Sequence, residues 1–233
     1  MKISIIIPAY NEEKNISKVI KSISKQKSKS VEIIVVDNNS TDSTYLLAKK
    51  LADKVYRCKE QGISPARNYG AKKAIGEILV FIDADCLAYP KWVTAITEGF
   101  KDKNISVMSG IALYNNKNIL KRSIINFASY IFYICLKLTS ILGMPYVMAP
   151  NIAIRKDIFN KVGGFDKVIG EDAHLSVKLR KIKNIKSKVD ARMKVMCSAR
   201  RIEKEGMIKL GLIWLIARFK KINSDDYKLH DKI

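Results

Sequence analysis

Asp83 and Asp85 stand one residue apart, directly after the apolar run Ile78-Leu79-Val80-Phe81-Ile82. A buried strand has no use for two acids at its tip, because an unpaired carboxylate leaving water disfavours the fold by several kcal/mol. The natural partner is a hard divalent cation held by oxygen ligands. The plainer alternative is a solvated loop, or Asp85 capping a helix.

The elements that would carry these acids alternate strand and helix. Residues 3–7 read as a strand stopped by Pro8. Residues 31–36 read as a second, running into the polar loop Asp37-Asn38-Asn39-Ser40-Thr41-Asp42. Val55-Tyr56, 78–82 and 105–113 supply three more. A helix is expected over about 12–26, where Ile16, Val19, Ile20 and Ile23 recur at helical spacing, and others over 42–52, 63–74 and 90–102. Such alternation implies right-handed crossovers and a mostly parallel sheet. Ligands in such sheets bind beyond the carboxyl ends of the strands. Pro8-Ala9-Tyr10, Asp37 and the Asp83/Asp85 pair all fall there, and core packing does not explain acids gathered on one rim.

The 233 residues suffice for one sizeable core, and 48% hydrophobic with 28% charged is a globular balance. The net charge of +21 attracts polyanions. The cations are mostly lysines scattered through the chain, so the charge permits an anionic partner without identifying one. Cys58, Cys86, Cys135 and Cys197 form no C-x-x-C pair, and His174 and His230 are the only histidines. That argues against a zinc site, and cysteines this sparse suit a reducing cytosol. The first apolar run is too short for a secretory leader and reads as a strand.

From Ser123 to Leu136 there is no charge, between Lys121-Arg122 and Lys137, and Leu138 to Ala153 is uncharged again. The first stretch, 14 residues, is too short to span a bilayer. A helix buried on the core, an interfacial helix rimmed by cations and a spanning helix are the three readings. A second apolar segment, 207–219, carries Trp214 and precedes Lys220-Lys221.

An ordered set of motifs resembles the family 2 glycosyltransferases of GT-A type. The carrying residues are Ile6-Ile7-Pro8-Ala9-Tyr10-Asn11-Glu12, Val35-Val36-Asp37-Asn38-Asn39-Ser40-Thr41-Asp42, Ala66-Arg67-Asn68-Tyr69-Gly70 and Phe81-Ile82-Asp83-Ala84-Asp85. Val162-Gly163-Gly164-Phe165-Asp166 and Gly170-Glu171-Asp172 complete it. Each alone is weak; their order over roughly residues 1–180 is specific.

The resemblance implies an α/β fold: a Rossmann-like, mostly parallel sheet flanked by helices, with apolar amphipathic helices toward the C-terminus. It implies a nucleotide-sugar donor, a UDP- or GDP-sugar. Pro8, Ala9, Tyr10, Glu12, Asp37 and Ala84 would line the nucleotide pocket, with Glu12 on the ribose and Asp37 on the base. Arg67 would face the diphosphate. Asp83 and Asp85 would hold Mg²⁺ or Mn²⁺, which neutralises a leaving group that departs with charge. Asp172 would be the general base, assisted by Glu171, and direct displacement would invert the anomeric centre. Asn151, Arg200 and Arg201 are candidates for the acceptor or the diphosphate. The plainer readings are a helix-cap role for Asp172 and a first-turn acid for Glu12. The Gln-x-x-Arg-Trp motif of processive members is absent from the sequence, so a non-processive enzyme is expected.

Residues 1–200 are expected to form one catalytic domain, with a nucleotide-sugar half over about 1–113 and an acceptor half over about 114–200. A C-terminal amphipathic helix and tail would follow over 201–233. The resemblance implies transfer to a hydroxyl or a phosphate, and the apolar segments imply that this acceptor is a lipid-linked or cell-surface glycan and that the enzyme is peripheral on the cytoplasmic face of the cell membrane. A sugar nucleotidyltransferase is the first rival, although Pro8-Ala9-Tyr10-Asn11-Glu12 lacks the glycines of a phosphate loop. A basic RNA-binding protein is weaker, because the aromatics of 127–133 have apolar neighbours rather than cations. Nucleic acid is therefore not expected as a partner.

Overall fold

In the computed structural model, which describes residues 1–206 and Lys209, the apolar runs form β1 (Ile3–Ala9), β2 (Val31–Asp37), β3 (Lys54–Arg57) and β4 (Ile78–Ile82). All pair in parallel, with β1 between β2 and β4. The Ile and Val content of β1, β2 and β4 suits strands covered on both faces, while β3, Lys-Val-Tyr-Arg, is a half-exposed edge. Ile3, Ile5 and Ile7 face one core, while Ile6, Ile34 and Phe81 face the other.

α1 (Ile16–Ser24), α2 (Thr44–Lys49) and α3 (Ile63–Lys73) make the crossovers. α1 buries the expected Ile16, Val19, Ile20 and Ile23. It starts four residues later than the spacing suggests. Asn11 takes a left-handed φ of 52°, and the Asn15 N–H closes a turn on the Glu12 carbonyl at 3.0 Å. α3 lies close on β1 at Gly70, where a Cβ would come within 2.5 Å of Ile6 Cγ2.

β5 (Cys86–Ala88), α4 (Trp92–Gly99), β6 (Ile105–Asn115), α5 (Ile119–Ile141), β7 (Asn151–Arg155), α6 (Lys156–Lys161), α7 (Glu171–Arg180), β8 (Lys186–Ser198) and α8 (Arg200–Glu205) complete the described chain. The sheet order is β3-β2-β1-β4-β7-β6-β8-β5. β7 is antiparallel to both neighbours and β5 is antiparallel to β8, while β6 and β8 run parallel. The sheet is thus parallel through its first four strands and mixed beyond them.

Two sequence expectations need correction. Cys86 and Cys197 are disulfide-bonded. They lie 111 residues apart, and it is the pairing of β5 with β8 that sets them opposite each other. The apolar segment that opens at Ser123 belongs to a helix of 23 residues, long and apolar enough to cross a membrane by length and composition. The core reading fails, since only Ile125 and Leu136 of α5 are buried. The segment 207–219 lies outside the described residues, apart from Lys209, as does most of the C-terminal unit expected over 201–233.

Candidate active site

β1, β2 and β4 all end on one rim, and the polar groups there follow from where each strand runs out of apolar residues. Asp37 closes β2 at 1% exposure. Its carboxylate oxygens make no close hydrogen bond among the described residues, although the Ser40 hydroxyl and N–H lie near enough to favour its charge, and Arg57 Nε stands 3.9 Å away. Burial raises its pKa. Pro8 and Ala9 are buried at the end of β1, and Tyr10 is half-buried beyond them. Glu12 is buried as well. Its N–H donates to Thr44 Oγ1 at 2.7 Å, and its Oε2 accepts from Asn15 Nδ2 at 2.6 Å.

Asp83 and Asp85 follow β4, with the buried Ala84 between them. Burial raises Asp85 to about 7, reinforced by the charges of Asp83 and Glu12. Arg200, at the start of α8, pairs with Glu12 and lies 3.7 Å from Asp85 Oδ2. Arg201 turns instead to Glu205 at 3.7 Å.

Arg67 sits beneath the rim rather than on it, at 1% exposure. Nη2 donates to Asp83 Oδ1 and Nη1 to Glu171 Oε1, each at 2.5 Å. Its guanidinium lies 5.3 Å from the centre of the Phe165 ring. The Gly163-Gly164-Phe165 motif shapes this wall. Gly164 has φ +70°, and a Cβ there would approach Asn68 Oδ1 to 2.6 Å. Asn68 in turn brackets Phe165 through both its N–H and its carbonyl.

Asp172 is the second residue of α7, and the helix takes Gly170 as its N-cap. It is therefore not the cap. Its Oδ1 accepts from the Ala173 N–H at 2.7 Å, and its Oδ2 accepts from the Ala149 N–H at 3.3 Å. Burial, then the Glu171 charge, raises it to about 6. A carboxylate that far up is a stronger proton acceptor than an ordinary aspartate.

Asn151 does not face the cleft. It is fully buried at the start of β7, where Oδ1 accepts from Trp92 Nε1 at 2.9 Å. Its Nδ2 donates to the Met193 carbonyl at 2.7 Å and to the Ile111 carbonyl at 3.3 Å. A buried amide so fully engaged has no group left for an acceptor, and its role is to tie α4, β6, β7 and β8 together.

Sequence reasoning missed Tyr114, at the end of β6. Burial and the charges of Asp83, Asp85 and Asp172 raise its phenol to about 12. The signal was a tyrosine one residue past an expected strand.

Among the described residues no three His, Cys, Asp or Glu side chains gather into a metal cage. Asp83 and Asp85 offer two hard oxygen donors, with Arg67 on Asp83 and Arg200 beside Asp85 offsetting part of their charge. That set fits Mg²⁺ or Mn²⁺, which keeps waters and takes substrate phosphate oxygens as its other ligands.

Comparison with known proteins bears on the family and the fold. The family model described as glycosyl transferase family 2 matches residues 4–163. Glycosyltransferase AglE of Haloferax volcanii is 28% identical over 185 residues, covering 74% of this chain and 59% of that protein. A dolichol-phosphate mannosyltransferase of Pyrococcus furiosus is 36% identical over 108 residues, 44% of this chain and 31% of its own length. The chain thus spans less than two thirds of these curated relatives. Among solved structures, a mannosyltransferase of Pyrobaculum calidifontis, in complex with GDP-Man and Mn²⁺, superposes with a TM-score of 0.67 at 19% identity over 96% of this chain and 66% of that one. Glucosyl-3-phosphoglycerate synthase of Mycobacterium tuberculosis, in complex with Mn²⁺, UDP and glucosyl-3-phosphoglycerate, gives 0.61 at 20% identity over 93% of this chain and 79% of that one. At that identity the likeness is one of fold. With its GT-A sheet and a family match over most of its length, the chain belongs to glycosyl transferase family 2.

Proposed function

We propose that the protein transfers a sugar from a UDP- or GDP-sugar to a hydroxyl on a lipid-linked or cell-surface glycan acceptor, with inversion and without processivity. The observation that carries this reading is the Arg67 bridge. By holding both Asp83 and Glu171, it fixes the donor-side acids against the segment that bears Asp172. Asp37, buried at the end of β2, would accept from the base N–H, and Glu12, now held by Arg200 and Asn15, would accept from the ribose. A divalent cation on Asp83 and Asp85 would offset the charge of the departing diphosphate. Arg200 now neutralises Glu12 and Asp85, and on donor entry its guanidinium is in place to turn to phosphate oxygens.

Asp172, held by two backbone N–H groups, takes the proton of the attacking hydroxyl as the new glycosidic bond forms. A base of raised pKa is of use to a hydroxyl; a phosphate acceptor, already ionised, needs none. This favours a hydroxyl acceptor.

The membrane reading is supported by α5. Leu120 is 71% exposed, Phe127 69% and Leu138 54%. At about 100° per residue, these centre on one line with Ile124, Ile131 and Ile134, inside a charge-free arc of about 200°. Lys121 and Lys137 fall at its two borders. So wide an apolar face, edged by lysines that can snorkel, suits a lipid surface better than the narrow seam of a coiled coil. The proposed setting is the cytoplasmic face of the cell membrane.

The test is calorimetric titration with UDP and GDP, in Mn²⁺ or Mg²⁺ and again in EDTA. One nucleotide should bind, and only with the ion. Equal affinity in the two conditions removes the metal from the reading, and no binding of either nucleotide removes the donor site.

A further inference from the structure

A cavity of about 520 Å³ lies where the end of β3, the segment after it, α3 and the loop between α6 and α7 come together. That volume suits a small metabolite. Neither the rim acids nor Arg67 line it. Its walls are held by bonds within the protein. Asn38 Nδ2 donates to the Cys58 carbonyl at 3.0 Å and to the Glu60 carbonyl at 2.7 Å, and Asn38 Oδ1 accepts from the Gly62 N–H at 2.7 Å. The facing loop is tied to this wall twice. Lys167 Nζ stands 3.5 Å from Glu60 Oε1, and Asn68 of α3 holds Phe165, two residues before Lys167, at both backbone groups. The concavity is therefore preformed.

Four of the ten lining residues are cations, Arg57, Lys59, Lys72 and Lys167, and Glu60 is the one acid. The whole chain has 43 basic residues in 233, so the cavity is enriched even over a basic background. Arg57 is engaged at one edge, 4.1 Å over the Tyr45 ring and 3.9 Å from Asp37. Lys59 and Lys72 make no ion pair among the described residues. Ser64 is 3% exposed and lines the cavity, and its hydroxyl has no hydrogen-bond partner among the described residues. A buried hydroxyl of that kind calls for a partner from outside the chain. Ser64 also sits in the first turn of α3, which no side chain caps, and a helix start favours negative charge. Ammonium groups, a guanidinium and a hydroxyl around one space match a phosphate, whose several oxygens accept from donors on different sides. A neutral sugar would leave the four cations without a counter-charge.

We propose that this cavity is an anion site for a phosphate monoester, separate from the donor site. It does not rest on the donor reading. The full chain is titrated by calorimetry, at constant ionic strength in EDTA, with inorganic phosphate, glycerol 3-phosphate and the short-chain lipid dihexanoyl phosphatidic acid. Saturable binding of phosphate and of at least one ester is expected. The tighter ester tells whether the ligand is a free metabolite or a lipid headgroup, and saturation by none of the three overturns the site. Lys59→Ala with Lys72→Ala, both exposed, should weaken binding about tenfold or more, the scale of contacts to a charged group. Lys49→Ala with Lys50→Ala takes the same charge from the exposed end of α2 and should change little. Equal losses in the two variants overturn the proposal, since phosphate then senses only net charge. So does unchanged affinity in the first. The titration is repeated in Mg²⁺ with saturating UDP or GDP. Phosphate should still bind, and its displacement by either nucleotide would make the cavity part of the donor site and overturn the separate one.

Discussion

Arg67 and Glu171, 104 residues apart in the chain, meet at 2.5 Å beneath the rim. The contact joins α3, from the first half of the sheet, to α7, from the second. Because the same guanidinium holds Asp83, one buried cation keeps two acids in register with Asp172 beside them.

Arg67→Ala leaves Asp83 and Glu171 facing each other without their cation. Breaking a buried pair in this way destabilises by about 3–5 kcal/mol. Urea unfolding should show that loss, and Arg67→Lys should recover little, since a single ammonium cannot span two carboxylates as the guanidinium fork does. An Arg67→Ala protein as stable as wild type would remove the bridge from this account.

Asp172→Asn should lower turnover by about 10²-fold or more while nucleotide binding persists, the usual scale of general base catalysis. The ionised form is the base and burial raises its pKa to about 6, so wild-type turnover should fall as pH drops through that value. The sign for stability is opposite. A raised carboxylate contributes most below its ordinary value, and the contribution is lost as pH rises through about 6. The Asn variant should therefore match wild type in acid and exceed it in mild alkali. Denaturant midpoints across that range check this; a variant that loses stability on the alkaline side contradicts it.

If α5 seats the protein on lipid, flotation should carry it with vesicles containing anionic lipid, and added salt should weaken but not abolish the association, since burial supplements charge. Phe127→Glu with Ile131→Glu, both exposed, should abolish it and leave the fold intact. Binding that survives the double variant would place the membrane contact elsewhere.

The cysteines give a test of pairing. Cys86 and Cys197 are bonded while Cys58 and Cys135 are free, Cys58 being buried. Alkylation of the folded protein should mark Cys135 first, and denaturation without reductant should expose only Cys58 in addition. Four labels without reductant would mean that the disulfide does not form.

What the sequence disclosed followed from local pattern. Asp83 and Asp85 were legible because five apolar residues precede them, and α1 because its isoleucines and valine repeat at helical spacing. Tertiary partners were not. Arg67 read as a residue for the diphosphate, since nothing near it in sequence foretells Glu171. Asn151 read as a polar group near the rim, yet Trp92, 59 residues earlier, engages it. β8 did carry a signal, the alternation of Met193, Val195 and Cys197 toward the core. Lys194 between them, and the lysines and Arg192 earlier in the strand, obscured it.

The position of β8 in the sheet has a consequence for synthesis. It is the last strand of the described chain, yet it lies inside the sheet, between β6 and β5. The three-residue β5 pairs with β8 alone, so the segment after Asp85 cannot settle until residues near 198 have left the ribosome. Domains form as units while the chain emerges. The rim bearing Asp37 and Asp83 can take shape early, whereas Asp85 and Arg200 reach their places together, at the close. A stalled or shortened chain would hold a nucleotide-side scaffold without a finished site.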